Sequence, residues 1–289
     1  MMETLAFQGL VGLSLAMYLW LIAAGLTIVF GVLGILNFAH GSLYMLGAYF
    51  AFTCYGLWGI NFWLSILLSL IGVALISMVM ERFFLRFIYR LDVAYQLLLT
   101  FGFILIFDDA VKMIWGGVFM IPPMPDFFSG AIPIFGRPFP VYNLFIIGAG
   151  IGVAIGLWLI LERTWWGRII RASASDREMA GAIGVNIPIL FTTVFMLGAA
   201  LAALGGALST PVRVVAPGIG AAIIIQAFVV TVIGGLGNLK GAFAGAVIVG
   251  VLTAYGILLF PVFELFIIFV VMAFVLLVKP EGLFGGVNQ

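Results

Sequence analysis

The sequence predicts an all-α, polytopic membrane helix bundle of eight to ten membrane segments, some broken or re-entrant, forming one transmembrane domain over residues 1–289. Three observations carry this. Apolar residues make up 65% of the chain and charged residues only 8%. Mean hydropathy is +1.33. No Asp, Glu, Lys or Arg occurs between Glu3 and Glu81. Soluble domains are about 45–50% apolar, and a fold of this size could not hide the excess. A spanning helix needs about 20 largely apolar residues, so the uncharged stretch alone holds roughly three spans.

Cutting the chain at its charges gives candidate spans at Ala6–Gly34, Ser42–Leu57, Asn61–Met80, Val93–Trp115, Val141–Leu161, Ile187–Leu208, Gly220–Leu236, Gly241–Phe260 and Val262–Val278. The first lacks a basic leader and runs straight into further spans, so it reads as a retained helix and not a signal peptide. The second, seventh and ninth are short, and the second and seventh have glycine neighbours, as half-helices or re-entrant elements do. Basic residues set the orientation. Arg82, Arg86 and Arg90 cluster in one loop, Arg163, Arg168, Arg171 and Arg177 in another, and Lys279 follows the last span. Those regions are expected in the cytoplasm, with the C-terminus inside and the N-terminus outside. Lys240 then also lies inside, leaving Lys112, Arg137 and Arg213 toward the other face. Glu264, near the start of the last span, is expected at the interface.

Net charge is +1, which offers nucleic acid nothing, and the single cysteine, Cys54, lies in an apolar stretch where it builds neither a disulfide framework nor a metal cluster. No cofactor is expected. With one histidine, His40, the chain holds no catalytic pair or triad and is not expected to be an enzyme. The connection at 116–140 carries Pro122, Pro123, Pro125, Pro133, Pro138 and Pro140. These deny it regular helix and favour an extended, ordered external lid on which a partner could dock.

The chain also repeats itself. Gly31-x-Leu33-Gly34-x-Leu36 recurs as Gly234-x-Leu236-Gly237-x-Leu239, an offset of 203 residues (234 − 31), and Ala39 and Gly47 match Ala242 and Gly250 at the same offset. Transporters often build a pathway from two related halves. The sequence leaves open whether these copies run parallel or inverted.

Within the first copy, Asn37-Phe38-Ala39-His40-Gly41-Ser42 interrupts the apolar run. A break frees backbone groups that lipid cannot satisfy, so it belongs against protein or a watery path. A helix restarting at Ser42 would aim its N-terminal amides at whatever lies there, and a carboxylate would suit them. Asn37, His40, Gly41 and Ser42 are therefore candidate pathway residues. The equal alternative is a structural break with His40 bonded to a neighbouring carbonyl. Asp108, Asp109 and Lys112 fall inside another span, where ionisable groups face a bundle interior or cavity. Lys112 can neutralise one aspartate, leaving the other hydrated at the outer end or lining the path. Asn238, at the end of the second glycine motif, is a further candidate.

No G-x-x-x-x-G-K-S/T occurs, since none of Lys112, Lys240 and Lys279 follows a glycine. Any ATP must be hydrolysed by a separate subunit. The charged inner loop at 162–187 offers that subunit a handle: a short helix with Asp176 and Glu178 at its start and Gly184 after its end. Ala174, Ala180 and Gly181 allow close backbone approach, and Arg171, Asp176, Arg177 and Glu178 can fix orientation.

These residues resemble the membrane permeases of high-affinity branched-chain amino acid ABC importers, with their relatives for urea, amides and aromatic acids. The most specific parts are Gly34-Ile35-Leu36-Asn37-Phe38-Ala39-His40-Gly41-Ser42-Leu43-Tyr44-Met45-Leu46-Gly47-Ala48-Tyr49, the loop from Ile170 to Asn186, Leu204-Gly205-Gly206-Ala207, Gly234-Gly235-Leu236-Gly237-Asn238, and Lys279-Pro280-Glu281-Gly282-Leu283-Phe284-Gly285. The resemblance covers nearly the whole chain. It implies a bacterial or archaeal cytoplasmic-membrane permease that pairs with a homologous second permease, sits on two cytoplasmic ABC ATPases and receives solute from a periplasmic substrate-binding protein. It also implies a coupling helix in the inner loop and a branched-chain or other hydrophobic amino acid as cargo. The acidic pair Asp108 and Asp109 departs from the less charged segment the resemblance implies. The alternative is a self-sufficient channel or secondary transporter for urea, amides or organic acids.

Overall fold

A computed structural model describes residues 2–259 and 261–285. The helices are α1 (Met2–Leu33), α2 (His40–Ala51, continued by a π-helical stretch Phe52–Leu57), α3 (Phe62–Phe83), α4 (Val93–Trp115), α5 (Val141–Arg163), α6 (Trp165–Ser175), α7 (Arg177–Ala182), α8 (Ile187–Ser209), α9 (Ile219–Gly234), α10 (Leu239–Leu259) and α11 (Glu264–Val278). A hairpin of β1 (Ala131–Ile134) and β2 (Arg137–Pro140) precedes α5. Every candidate span matches one helix, with α6 and α7 between spans. The eighth was expected to end at Phe260, which lies outside the described residues, as does the side chain of Glu264. Starts are capped where polarity allows: Asn61, Asp92 and Asn186 accept backbone N–H groups in the first turns of α3, α4 and α8. By length and composition α1, α3 with its extension to Phe87, α5, α8 and α10 can each cross a membrane.

α1 is the axis of the bundle. Every residue from Ala16 to Val29 is buried, as expected of a helix that is apolar all round. It packs chiefly against α10 and α8 and more lightly on α5 and α9. Lipid tails are as apolar as leucine, so helices in a bilayer associate by close packing across small residues. A Cβ on Gly12 would meet the Val251 Cα at 2.7 Å, and one on Gly25 would reach the His40 ring at 2.8 Å. Trp20 spans to α5, donating to the Gly150 carbonyl at 3.2 Å.

The repeat is visible in three dimensions. α1 and α9 finish side by side, where a Cβ on Gly31 would lie 3.2 Å from the Gly237 Cα. The matched glycines Gly34 and Gly237 both turn the chain with positive φ, +72° and +82°. α1 packs on α10 and α2 on α9. The two copies therefore enter and leave at the same end of the bundle and run parallel.

At the opposite end, β1 and β2 pair in register Ile134↔Arg137, joined by Phe135-Gly136 with φ +50° and +71°, the signature of a twisted two-residue hairpin turn. Phe128 stacks on Phe145 with ring centroids 4.6 Å apart, and Met120 bridges to Val215. Arg137 donates to Thr4 at 3.1 Å, so the proline-rich connection is pinned across the start of α1.

Candidate transport and coupling sites

After Gly34 the chain turns back along α1. His40 reaches the Ile22 carbonyl, 3.2 Å from Nε2, so the segment 34–39 has climbed several turns beside α1 before α2 begins. α2 thus starts well inside the bundle. Its first turn presses on the start of α9, where a Cβ on Gly41 would land on the Gly220 carbonyl oxygen, and one on Gly220 would meet the Ser42 N at 3.0 Å. In this chain the Ser42 amide thus lies against the α9 backbone, while the His40 and Leu43 N–H groups bond the Asn37 and Ala39 carbonyls. Gly41 is a packing glycine, Ser42 is buried beside it, and His40 is fully buried with its bond to a carbonyl, the structural alternative. Asn37 differs. It is 1% exposed, yet neither its Oδ1 nor its Nδ2 has a hydrogen-bond partner among the described residues. It lines a notch with Leu26, Leu36, Phe38, Ile224 and Phe228.

The α4 charges share one cation. Lys112 Nζ lies 3.2 Å from a carboxylate oxygen of both Asp108 and Asp109, which leaves one net negative charge. The second oxygen of Asp108 accepts from the Gly218 N–H at 2.7 Å. Gly218 is the residue before α9, with φ +85°, so this carboxylate complements the positive end of α9. The Asp109 side chain is 74% exposed. Asp108→Ala is expected to lower stability by about 1 kcal/mol, the usual worth of a helix-start acceptor, while Asp109→Asn leaves the thermal midpoint in detergent unchanged.

Both ends of the Asn238 amide are bonded within the chain. Its Oδ1 accepts from the Gly241 N–H at 3.0 Å, and its Nδ2 donates to the Phe284 carbonyl at 2.9 Å. Leu283 and Phe284 N–H groups in turn bond the Ile233 and Gly234 carbonyls. The 279–285 stretch so closes the α9–α10 turn.

In the loop after α5, Thr164 caps α6 and Asp176 caps α7, accepting from the Met179 N–H at 2.9 Å. Gly184, φ +95°, ends the turn. Arg177 does not point away from the chain. Its Nη2 donates to the carbonyls of Leu33 at 2.9 Å and Val32 at 3.3 Å, and its guanidinium lies 5.2 Å over the Phe191 ring. The last carbonyls of a helix lack intrahelical partners and carry partial negative charge, so a cation there binds α7 to the end of α1. Ala180 is only 2% exposed and faces the bundle. Arg171 turns back to the Leu161 carbonyl and to Glu162, 3.4 Å away. Besides Arg171, Asp176 and Arg177, the exposed surface holds Ala174, Glu178, Gly181, Ala182 and two residues the sequence alone did not single out, Met179 and Ile183, exposed by 61% and 72%.

Glu81 was also passed over, serving only as the charge that ends an uncharged run. It is fully buried. Tyr89 donates to its Oε1 at 2.7 Å and Thr192 to its Oε2 at 2.6 Å. Burial, then the bond to Glu81, pushes the Tyr89 phenol well above the ordinary range. The Tyr89 ring meets Phe191 edge-on at 5.6 Å. A continuous set of contacts thus runs Glu81, Tyr89, Phe191, Arg177, Leu33, joining the ends of α3, α8, α7 and α1.

A family model described as "Branched-chain amino acid transport system / permease component" matches residues 10–276. The chain belongs to this family. Among curated relatives, the high-affinity branched-chain amino acid transport system permease protein BraD of Pseudomonas aeruginosa is 31% identical over 292 residues, covering 95% of this chain and 94% of the relative. The permease protein LivH of Escherichia coli is 28% identical, covering 95% and 93%. Of solved structures, PsaBC from Streptococcus pneumoniae in complex with Fab matches 93% of this chain and 89% of that one, with TM-score 0.51 and 13% identity, a likeness of fold. The match makes this permease component a multi-pass membrane protein that serves transport, not covalent chemistry. It spans the break, the α4 charges and α7, and stops before the 279–285 closure.

Proposed function

We propose that the chain is the single-domain membrane-spanning subunit of an ABC importer for a branched-chain or other hydrophobic amino acid. It pairs with a homologous second permease, is driven by two cytoplasmic ABC ATPases and is fed by a periplasmic binding protein. The cargo class rests on what BraD and LivH are named for. The end that holds Arg82, Arg90, Arg163, Arg171, Arg177 and Lys279 faces the cytoplasm by the positive-inside rule, which puts the proline-rich hairpin and the N-terminus outside, where a binding protein docks.

The observation that carries the mechanism is the grip of Arg177 on the end of α1. α7 with its C-cap residue presents Met179 and Ile183, both exposed, to a groove on the ATPase. Closure of the ATPase pair then moves α7, and Arg177 passes that motion to the junction before Asn37, so that the two permeases rock about a path between them.

Copurification tests this reading. Gly181→Arg and Ile183→Glu are expected to leave the permease folded and inserted but to cut retained ATPase at least fivefold, with substrate-stimulated hydrolysis and uptake falling together. Arg90→Glu, exposed in the other basic loop, is the control and should change neither. Full ATPase retention and normal uptake in both variants would remove α7 from the interface. Solute flux through the permease alone, without ATPases, would replace the importer by a channel.

A further inference from the structure

We propose that Glu81 is a positioning residue of the coupling apparatus: its buried carboxylate fixes the Phe191 ring on which the Arg177 guanidinium rests, and so sets how α7 holds the end of α1. This rests on the importer reading above and adds to it a residue of α3, outside the loop that meets the ATPases.

Glu81 lies on the last turn of α3 and is 0% exposed. Among the described residues it forms no ion pair with a cation. A buried charge is costly unless its acceptor sites are met, and here hydroxyl protons meet them: Tyr89 donates to Oε1 at 2.7 Å and Thr192 to Oε2 at 2.6 Å. An apolar side chain of the same volume would hold these ends together at lower cost. It would not aim them. Hydrogen bonds to a carboxylate are short and directional, so the two oxygens fix where Tyr89 and Thr192 lie.

Both bonds converge on Phe191. Thr192 is the next residue on α8, so its bond to Oε2 holds the backbone that carries the Phe191 ring. The Tyr89 ring, tethered at its hydroxyl, meets the edge of Phe191 at 5.6 Å with 71° between the planes, an arrangement that aromatic pairs favour. One carboxylate thus constrains Phe191 from its backbone and from its ring. The Arg177 guanidinium lies 5.2 Å over that ring while it donates to the Leu33 carbonyl at 2.9 Å. A cation is attracted to a ring only over its face. The tilt of Phe191 therefore decides where the guanidinium sits as it bonds α1.

Tyr89→Phe removes the hydroxyl and keeps the ring. In proteoliposomes holding the whole complex it is expected to leave the ATPases bound and stimulated by loaded binding protein. L-Leucine moved per ATP should fall about threefold or more, an effect of the order that coupled neighbours show. Because Tyr89 acts through Arg177, adding Tyr89→Phe to Arg177→Ala should lower that ratio no further, whereas the effects of unconnected residues combine. Tyr142→Phe is the control. It deletes an equally buried hydroxyl bond, to the Leu208 carbonyl at 2.6 Å, at the hairpin end of α5, and should lower the thermal midpoint without changing the ratio. Glu81→Gln, which keeps one carbonyl acceptor, should fall between the wild type and Glu81→Leu, which keeps none. An unchanged ratio in Tyr89→Phe overturns the role of Glu81, as does an equal fall in both backgrounds or in Tyr142→Phe. If Tyr89→Phe does not accumulate, an unchanged ratio in Glu81→Gln overturns it. Leucine flux without ATPases would instead sink the importer reading, whatever the ratio in these variants.

Discussion

Replacing Gly41 with valine is expected to abolish accumulation of folded protein in the membrane. The first turn of α2 and the first turn of α9 cross with no side chain between them, and any Cβ at Gly41 would coincide with the Gly220 carbonyl oxygen and crowd Ile224. Neither obstacle is the far end of a flexible side chain. Overpacking a core costs typically 1–3 kcal/mol when side chains can yield; here backbone meets backbone, so about 3 kcal/mol for alanine and more for valine is expected. Domains hold only about 5–15 kcal/mol in reserve. The matching control is Gly148→Ala in α5, where an added Cβ meets nothing within 4 Å and gains roughly 1 kcal/mol of helix propensity. Size-exclusion profiles of the two variants in mild detergent check this: a monodisperse Gly41→Val protein with a wild-type midpoint would mean that the crossing is looser than described. The result also fixes how a bulky change at this position is to be read, since lost uptake there reports lost packing and not a blocked path.

Arg177→Ala is expected to separate ATP hydrolysis from uptake. The side chain gives α1 two hydrogen bonds and a cation at its C-terminal end, and it covers the Phe191 ring. Charge-assisted bonds are worth about 1.5–3 kcal/mol each where water is excluded and exposed cation–π contacts about 0.5–1 kcal/mol. This side chain is partly hydrated, so about 2 kcal/mol is expected from the whole set. Its loss frees α7 from α1 without touching Met179 or Ile183. ATPases should remain bound and stimulated, while solute moved per ATP falls about tenfold or more. Arg177→Lys, a single point charge without the planar fork, should recover part of the loss. An unchanged ratio of uptake to hydrolysis in Arg177→Ala would show that motion reaches the break by another route.

The helices and their limits were legible because the signal was one of composition: long uncharged runs bounded by charges, which lipid demands of any span. Caps were legible too, as Asp176 and Gly184 show, because they depend on residues within one turn. What sequence could not give was direction. Arg177 and Ala180 have the composition of a partner surface, yet Ala180 is buried against the bundle and Arg177 reaches the last carbonyls of α1, 144 residues away in sequence. Gly41 read as a path residue because a glycine that flanks a break and one that packs on Gly220 look alike until α9 is in place. Asp108 read as half of a mismatched pair, since its second partner is a backbone N–H 110 residues away. Glu81 was invisible as a site, because its donors Tyr89 and Thr192 lie on different elements.

The central place of α1 bears on how the protein comes into being. Of the helices described, α1 is made before those that enclose it, α8 and α10, and α10 ends only at Leu259. At roughly 5–20 residues per second of synthesis, α1 waits on the order of 10–45 s for its neighbours. During that wait Thr27, which ends up buried, and the glycine faces at Gly12 and Gly25 lie open to lipid or to the insertion machinery. Membrane entry and fold completion are thus separated in time for this helix. Substitutions at its glycines should spare the first event and fail at the second, leaving inserted chains as substrates for membrane quality control.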